Sequence, residues 1–330
     1  MQFQDLKIIP PILKALKAKD YHTPTPIQAK AIPLVLERKD LLGVAQTGTG
    51  KTAAFAIPII QAIQESNKWV DGRRKIRSLI VTPTRELAIQ IDDNIREYSR
   101  FTDVRHAVIF GGVKQGKQVD QLKRGVHILV ATPGRLLDLI DQGYISLDDV
   151  KIFVLDEADR MLDMGFIHDI KKLLKVLPKE RQSLFFSATM PKTIVELSQR
   201  ILNNPMKVEV TPPASTAERV EQIMFYTNKK EKKALLLHLL DHYRMDQVLL
   251  FSRTKHGADR IVRDLKKKNI NTAAIHGDKA QNHRQKVLKQ FKDGSLRVLV
   301  ATDIAARGID IDKLKFVINY DIPNEPETYV

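Results

Sequence analysis

Short apolar runs recur along this chain, separated by longer amphipathic stretches, and this alternation constrains the fold more than any other feature. Leu41 to Ala45, Ser78 to Thr82, Ala107 to Phe110, Ile128 to Ala131, Ile152 to Leu155 and Leu184 to Phe186 are of strand length. A strand apolar on both faces must be covered on both faces, and helices crossing between parallel strands do this. The rhythm pauses at Thr211-Pro212-Pro213-Ala214-Ser215-Thr216, which can continue neither a helix nor a central strand. It resumes with strands predicted at Gln222 to Phe225, Val248 to Phe251, Ala273 to Ile275, Val298 to Val300 and Phe316 to Ile318, and helices at Lys232 to Tyr243 and Gly257 to Lys268. The pattern predicts two tandem α/β domains, 1–207 and 219–330, joined by a linker over 208–218, each a mostly parallel, doubly wound sheet flanked by helices. A chain of 330 residues suits two cores, because single cores stop growing near ~250 residues.

No apolar run approaches the ~20 residues of a membrane helix, and Met1-Gln2-Phe3-Gln4-Asp5 does not begin a signal peptide. The sequence contains no Cys, which leaves no disulfide framework and no thiolate zinc site. A soluble, monomeric, cytoplasmic protein with no membrane contact is expected. The formal net charge of +15 and pI near 9.7 favour a polyanionic partner such as nucleic acid. Single basic runs, such as Lys229-Lys230-Glu231-Lys232-Lys233 or Lys266-Lys267-Lys268, read as solvated helix faces, so only the total excess points to that partner.

"AQTGTGKT", Ala45 to Thr52, lies between a predicted strand and a predicted helix. That order suits a phosphate loop: Thr47, Gly48, Thr49 and Gly50 let backbone N–H groups wrap the phosphates, Lys51 reaches the β and γ oxygens, and Thr52 ligates Mg²⁺. Ala45 replaces the glycine of the strict pattern. "FVLDEADRML", Phe153 to Leu162, runs from apolar residues into Asp156, Glu157 and Asp159. A carboxylate at the end of a neighbouring parallel strand projects into the same crevice as a phosphate loop. Asp156 would then hold the Mg²⁺ shell, and Glu157 would orient and deprotonate the water that attacks the γ-phosphate. The same acids would also serve as a helix N-cap, a role that their pairing with Lys51 and Thr52 makes secondary. In "YHTPTPIQ", Tyr21 to Gln28, the two prolines make a rigid turn with or without a ligand. A Gln amide and a Tyr ring are also what an adenine site uses.

In order, the chain carries an upstream aromatic at Phe3, the Q motif ending at Gln28, "AQTGTGKT", "PTRELA" from Pro83, "GG" at Gly111, "TPGR" from Thr132, "DEAD" from Asp156 and "SAT" from Ser187. "FSRT" from Phe251, "HGD" from His276, Gln281 with Arg284, and "ATDIAARGID" from Ala301 follow. Through this ordered set the chain resembles a DEAD-box ATP-dependent RNA helicase with two RecA-like domains. The compact start and the wording of the last motif are most similar to the bacterial RhlE-like group. The resemblance implies ATP and Mg²⁺ as cofactors, with Tyr21 and Gln28 reading adenine and Asp310 near the ribose. It implies hydrolysis by Lys51, Asp156 and Glu157, and a link from ATP state to RNA through Ser187 and Thr189. It further implies sequence-tolerant RNA-backbone contacts from Pro83, Thr84, Arg85, Gly112, Thr132, Gly134 and Arg135, and from Arg253, Gly277, Thr302 and Asp303. Taken singly, "GG" and "TPGR" are ordinary turn sequences.

Other features are bland. His238 and His242 lie at i, i+4 without a metalloprotease Glu between them, and Thr227 to Glu231 reads as a cap opening a Lys-rich helix. The family's His-Arg-x-Gly-Arg-x-Gly-Arg segment, which supplies arginine fingers, has no match here, and Arg307 does not obviously replace it. The expectation is a second domain truncated at its C-terminal end, and a chain that hydrolyses ATP poorly alone. The rival readings are a P-loop ATPase of another class, acting on protein or DNA, and an RNA clamp with negligible turnover.

Overall fold

The structure is a computed structural model that describes residues 1–66, 75–210, 220–302, 305, 311 and 314–322. The chain divides into two compact units, Met1–Arg219 and Val220–Val330.

In the first unit β1 (Leu41–Val44), β2 (Ser78–Val81), β3 (His106–Ile109), β4 (Ile128–Ala131), β5 (Ile152–Leu155), β6 (Gln182–Ser187) and β7 (Met206–Glu209) form one sheet in the order β3-β4-β2-β5-β6-β1-β7. All its pairings are parallel. β2, β4 and β5 are buried at every residue, as continuous apolar runs require. The period of two sorts their side chains. Ile80, Val130, Val154 and Phe186 join a core that includes Phe55, Ile59, Ile91 and Ile95 from the helices Lys51–Glu65 and Arg85–Tyr98. Leu79, Val81, Phe153, Leu155 and Phe185 face Leu136, Leu139, Ile170, Leu173 and Leu197 on the other side. Gly43 in β1 is required by this packing, because a Cβ there would lie 2.5 Å from the Phe186 ring.

β7 corrects the sequence reading, which assigned 208 and 209 to the linker. It pairs with β1, Met206 opposite Leu41 and Val208 opposite Gly43. Only Val208 of its four residues is buried, so this edge strand has no apolar run to announce it. Val210, also assigned to the linker, still donates from its N to Val44 O at 3.0 Å, and 211–218 lies outside the described residues.

In the second unit β8 (Val248–Phe251), β9 (Thr272–Ile275), β10 (Val298–Ala301) and β11 (Phe316–Asn319) form a parallel sheet in the order β11-β8-β10-β9. The helices Lys232–His242 and Lys255–Lys266 place Leu236, Leu240, Ile261 and Leu265 against Val248, Leu250, Val298 and Val300. The helix Gln281–Lys292 places Val287 and Phe291 against Leu249, Ile275 and Leu299 on the opposite face. Gln222 to Phe225 is not a strand. Ile223 is 51% and Met224 66% exposed, so apolar composition without a neighbouring strand does not make one.

Candidate active site and nucleic-acid interface

Because each sheet is parallel, the loops after its strands emerge on one rim, where open α/β sheets bind ligands. In the first unit the strand order sorts those loops. β5, β6 and β1 are consecutive and carry the "DEAD", "SAT" and phosphate-loop residues, whereas β3, β4 and β2 are consecutive and carry "GG", "TPGR" and "PTRELA". The predicted nucleotide and RNA residues therefore occupy adjoining halves of one rim.

The phosphate loop runs from β1 into the helix Lys51–Glu65, whose N-terminal N–H groups face it. Gly48 and Gly50 have φ of +82° and +94°, a left-handed backbone that glycine adopts without cost. Lys51 is buried and donates from Nζ to Ala45 O at 2.8 Å, bridging its own loop. Thr49 Oγ1 donates to Gln46 O at 2.8 Å, and Thr52 is half-buried in the first helical turn. Gln28, 4% exposed, donates from Nε2 to Gly50 O at 3.1 Å and accepts from Thr25 N at 2.9 Å. The amide thus ties the Q motif to the phosphate loop and keeps one N–H and one lone pair over for a base. A Cβ on Gly50 would sit 2.4 Å from Gln28 Nε2. The Tyr21 ring, 38% exposed, lies 6.3 Å from that of Tyr98 with Lys19 Nζ over it at 5.4 Å.

The acids after β5 differ sharply from one another. Asp156 is 2% exposed and accepts from Glu157 N at 3.0 Å. Burial, against the opposing pull of Lys51 and with the repulsion of Glu157, pushes its carboxyl up to about 7. A carboxylate so poorly compensated is suited to a divalent cation. Glu157 has a left-handed backbone, φ 54° and ψ 50°. Its carboxylate accepts from Arg160 Nη1 at 2.9 and 3.1 Å and from Thr47 Oγ1 at 3.4 Å. Asp159 Oδ2 accepts from Ala188 N at 3.1 Å, Thr189 N at 2.9 Å and Thr189 Oγ1 at 3.1 Å, while Ser187 Oγ donates to Thr189 O at 2.7 Å. Sequence reasoning gave no role to Asp159 or Arg160, whose partners only the fold reveals. These residues fit ATP and magnesium: the glycine loop and Lys51 would hold the phosphates, and Thr52 and Asp156 the metal. When bound, the metal would neutralise phosphate charge and polarise the γ-phosphate.

On the other half of the rim, Pro83 is buried and Thr84 caps the helix Arg85–Tyr98 by accepting from Leu87 N at 3.2 Å. Gly112, at φ +78°, makes room for Arg85: a Cβ there would lie 2.1 Å from its guanidinium. Thr132 precedes the helix Pro133–Asp141, Gly134 is exposed in its first turn, and Arg135 Nη2 donates to Val113 O at 3.2 Å. Thus Arg85 packs against Gly112 and Arg135 holds Val113, the residue that follows "GG".

In the second unit Arg253, Gly277 and Thr302 follow β8, β9 and β10 on one rim. Arg253 Nη2 donates to Ile322 O at 3.3 Å. Asp321, also missed in the sequence, accepts from Ser252 Oγ and Arg253 N, each at 3.3 Å, and from Lys232 Nζ at 3.0 Å. Gly257 permits this loop, since a Cβ there would lie 2.6 Å from Ser252 Oγ. Asp303, Arg307, Asp310 and 324–330 lie outside the described residues. The His238 and His242 rings stack at 5.4 Å, and among the described residues no group of three or more His, Cys, Asp or Glu is placed to hold a metal ion. Among the described residues, no helix is long and apolar enough to cross a membrane.

Two RecA-like α/β units, the first with a phosphate loop beside a strand-end acid pair, define a P-loop nucleotide hydrolase of helicase type. Residues 25–197 match the DEAD/DEAH box helicase family and 231–330 the helicase conserved C-terminal domain. The chain belongs to the DEAD-box ATP-dependent RNA helicases. It is 43% identical over 99% of its length to the DEAD-box ATP-dependent RNA helicase CshA of Geobacillus kaustophilus, covering 69% of that protein. It is 44% identical over its whole length to the CshA of Listeria monocytogenes, covering 62%. The name CshA differs from the RhlE-like subgroup suggested by the sequence. The structure of S. cerevisiae Dbp5 bound to RNA and ADP BeF3 matches with a TM-score of 0.84 at 30% identity, over 99% of this chain and 84% of that one.

Proposed function

We propose that this chain binds ATP with Mg²⁺ on the β5, β6 and β1 half of the first rim, binds single-stranded RNA backbone on the loops of both units, and separates short duplexes locally as it hydrolyses ATP. The observation that carries this reading is Asp159, which links the two halves of the chemistry: it sits two residues after the catalytic Glu157 and holds the backbone of the "SAT" loop. A change at the nucleotide acids is therefore transmitted to Ala188 and Thr189 through three hydrogen bonds, and from Thr189 O to Ser187 Oγ by a fourth. Within the site, Glu157 orients and deprotonates the attacking water, Lys51 binds phosphate, and Gln28 and Tyr21 favour adenine. Asp310 near the ribose and Asp303 on the RNA belong to the same proposal.

The relatives' complete activity is part of this proposal, because the chain spans 62–69% of the length of the two CshA proteins. So are a cytoplasmic setting and a monomeric state. The finer RhlE-like placement rests on the wording of 301–310, while the CshA names favour another branch.

The test is steady-state ATP hydrolysis with Mg²⁺, alone and with single-stranded RNA or matched DNA, alongside RNA affinity with and without ADP–beryllium fluoride. RNA should bind more tightly with the analogue, and whatever turnover the chain shows should rise with RNA more than with matched DNA. Equal stimulation by DNA, or RNA affinity indifferent to nucleotide, would overturn the reading.

A further inference from the structure

The helix Gln281–Lys292 carries a single sign of charge on its solvent face. Val287 and Phe291 bury its inner side, while Lys286, Lys289 and Lys292 are exposed with Asn282, His283 and Gln285. No acid occurs in these twelve residues. Asp293, which follows, accepts from Ser295 Oγ at 2.6 Å and Ser295 N at 3.1 Å and feels Lys289 only as a weaker attraction, without an ion pair. Four other lysines of this unit have acid partners, Lys232 with Asp321 at 3.0 Å, Lys233 with Asp264 at 3.1 Å, Lys255 with Asp278 at 2.8 Å and Lys279 with Asp259 at 2.8 Å, whereas Lys266, Lys267 and Lys268 are exposed in a second basic run. Among the described residues, none of the three helix lysines has an ion pair. A soluble surface normally intersperses both signs, so an unpaired stripe is a field awaiting a polyanion.

Its position identifies the polyanion. The helix begins four residues after Gly277, on the rim expected to hold RNA. It joins β9 to its parallel neighbour β10, so it runs back from the rim along the flank of the sheet, where β9 is the edge strand. At a rise of 1.5 Å per residue the three lysines span about 9 Å of helix, long enough to meet more than one phosphate of a strand. We propose that this face binds the phosphates of RNA that continues past the Gly277 loop, giving the second unit a site beyond its rim loops. The inference rests on the RNA-binding reading above.

The experiment measures binding of 6-nucleotide and 20-nucleotide single-stranded RNA to the whole chain, with Mg²⁺ and ADP–beryllium fluoride, at several salt concentrations. The variant is K286Q/K289Q/K292Q, and the control K266Q/K267Q/K268Q removes the same charge from another exposed part of the unit. Gln has nearly the helix propensity of Lys, and unchanged thermal unfolding checks that the fold is kept. For the first variant, affinity for the long RNA should fall roughly ten- to hundredfold near 0.1 M salt, and its log–log salt slope should shrink by about 2, at ~0.7 per lost contact. The short RNA should bind both variants as it binds the unmodified chain. Equal losses on both lengths, an equal loss from the control, or no loss on the long RNA would overturn the site. If neither RNA binds the unmodified chain, the RNA-binding reading itself fails.

Discussion

Asp156 in the first unit and Asp321 in the second both stand just past the end of a parallel strand, the first after a central strand and the second after an edge strand. Their environments are opposite. Asp156 is 2% exposed, and burial wins over Lys51, so its carboxyl is pushed up to about 7. Burial also works against Asp321, but donation from Lys232, from Arg253 N and from Ser252 holds its carboxyl below the usual range. Asp159 resembles Asp321, since it too accepts from the backbone of a neighbouring loop. Among the described residues, each unit therefore has an acid that fastens a motif loop, and the first also keeps Asp156 short of donors. That difference separates a site awaiting a cation from a brace: donors, rather than position in the fold, decide which a strand-end acid becomes.

The largest expected effect separates chemistry from bracing. Glu157→Gln should lower kcat by at least about 100-fold, the usual scale for a general base, while ATP affinity stays within a few-fold. Asp321→Asn should leave the chemical step nearly unchanged. Single-turnover hydrolysis measures both, and the comparison collapses if Asp321→Asn slows chemistry as much as Glu157→Gln.

Asp159→Ala comes next. It removes the acceptor of three hydrogen bonds to residues 188 and 189. Hydrogen bonds to a charged acceptor contribute about 1.5–3 kcal/mol each when buried, less here because Thr189 is exposed. A loss of about 2 kcal/mol in first-unit stability is expected, with RNA stimulation of the ATPase lost and ATP binding kept. Retained RNA stimulation would show that Asp159 is a structural brace only.

These two variants also mark where the sequence is silent. β2, β4 and β5 are legible because both of their faces are apolar, and the phosphate loop because its glycines precede a Lys-Thr pair at a helix start. Thr25 and Gln28 have the spacing of a capping box, which accounts for the Gln28 bond to Thr25 N but not the one to Gly50. β7 is illegible because one inward residue at an edge makes no pattern. The Gln222 to Phe225 stretch misleads for the opposite reason, since it has the composition of a strand without a sheet partner. Asp159 and Asp321 are illegible in a deeper sense: their partners lie about 30 and 70 positions away, and only the parallel ordering of the strands brings them together.

A smaller effect is thermodynamic. A folded-state pKa of about 7 for Asp156 lies above its unfolded value of 3.8, so the native first unit binds the proton more tightly. Its stability without Mg²⁺ should rise as pH falls from 8 through 7, by about 1 kcal/mol between pH 8 and 6, within the ~1.4 kcal/mol per pH unit that one proton permits. Urea unfolding in EDTA measures this, and Asp156→Asn should flatten the dependence. A first unit that loses stability over the same interval would contradict the assignment.

Asp321 should give the smallest effect and the opposite sign. Its folded-state pKa lies below the unfolded value of 3.8, so its contribution is complete above that pH and is lost as pH falls through the folded value. Nothing should change between pH 8 and 6, where Asp156 acts. Lys232 and Asp321 are 31% and 28% exposed, and solvent screens such a pair, so Asp321→Asn should cost the second unit only about 0.5–1 kcal/mol. The variant keeps an oxygen that can accept from Ser252 Oγ and Arg253 N, and it loses mainly the charge that attracts Lys232. RNA affinity should therefore fall less for Asp321→Asn than for Asp321→Ala, which frees the Arg253 loop altogether. Fluorescence anisotropy with a short RNA distinguishes them: equal affinities for the two variants would mean that the Asp321 charge, and not its grip on the loop, is what the second unit uses.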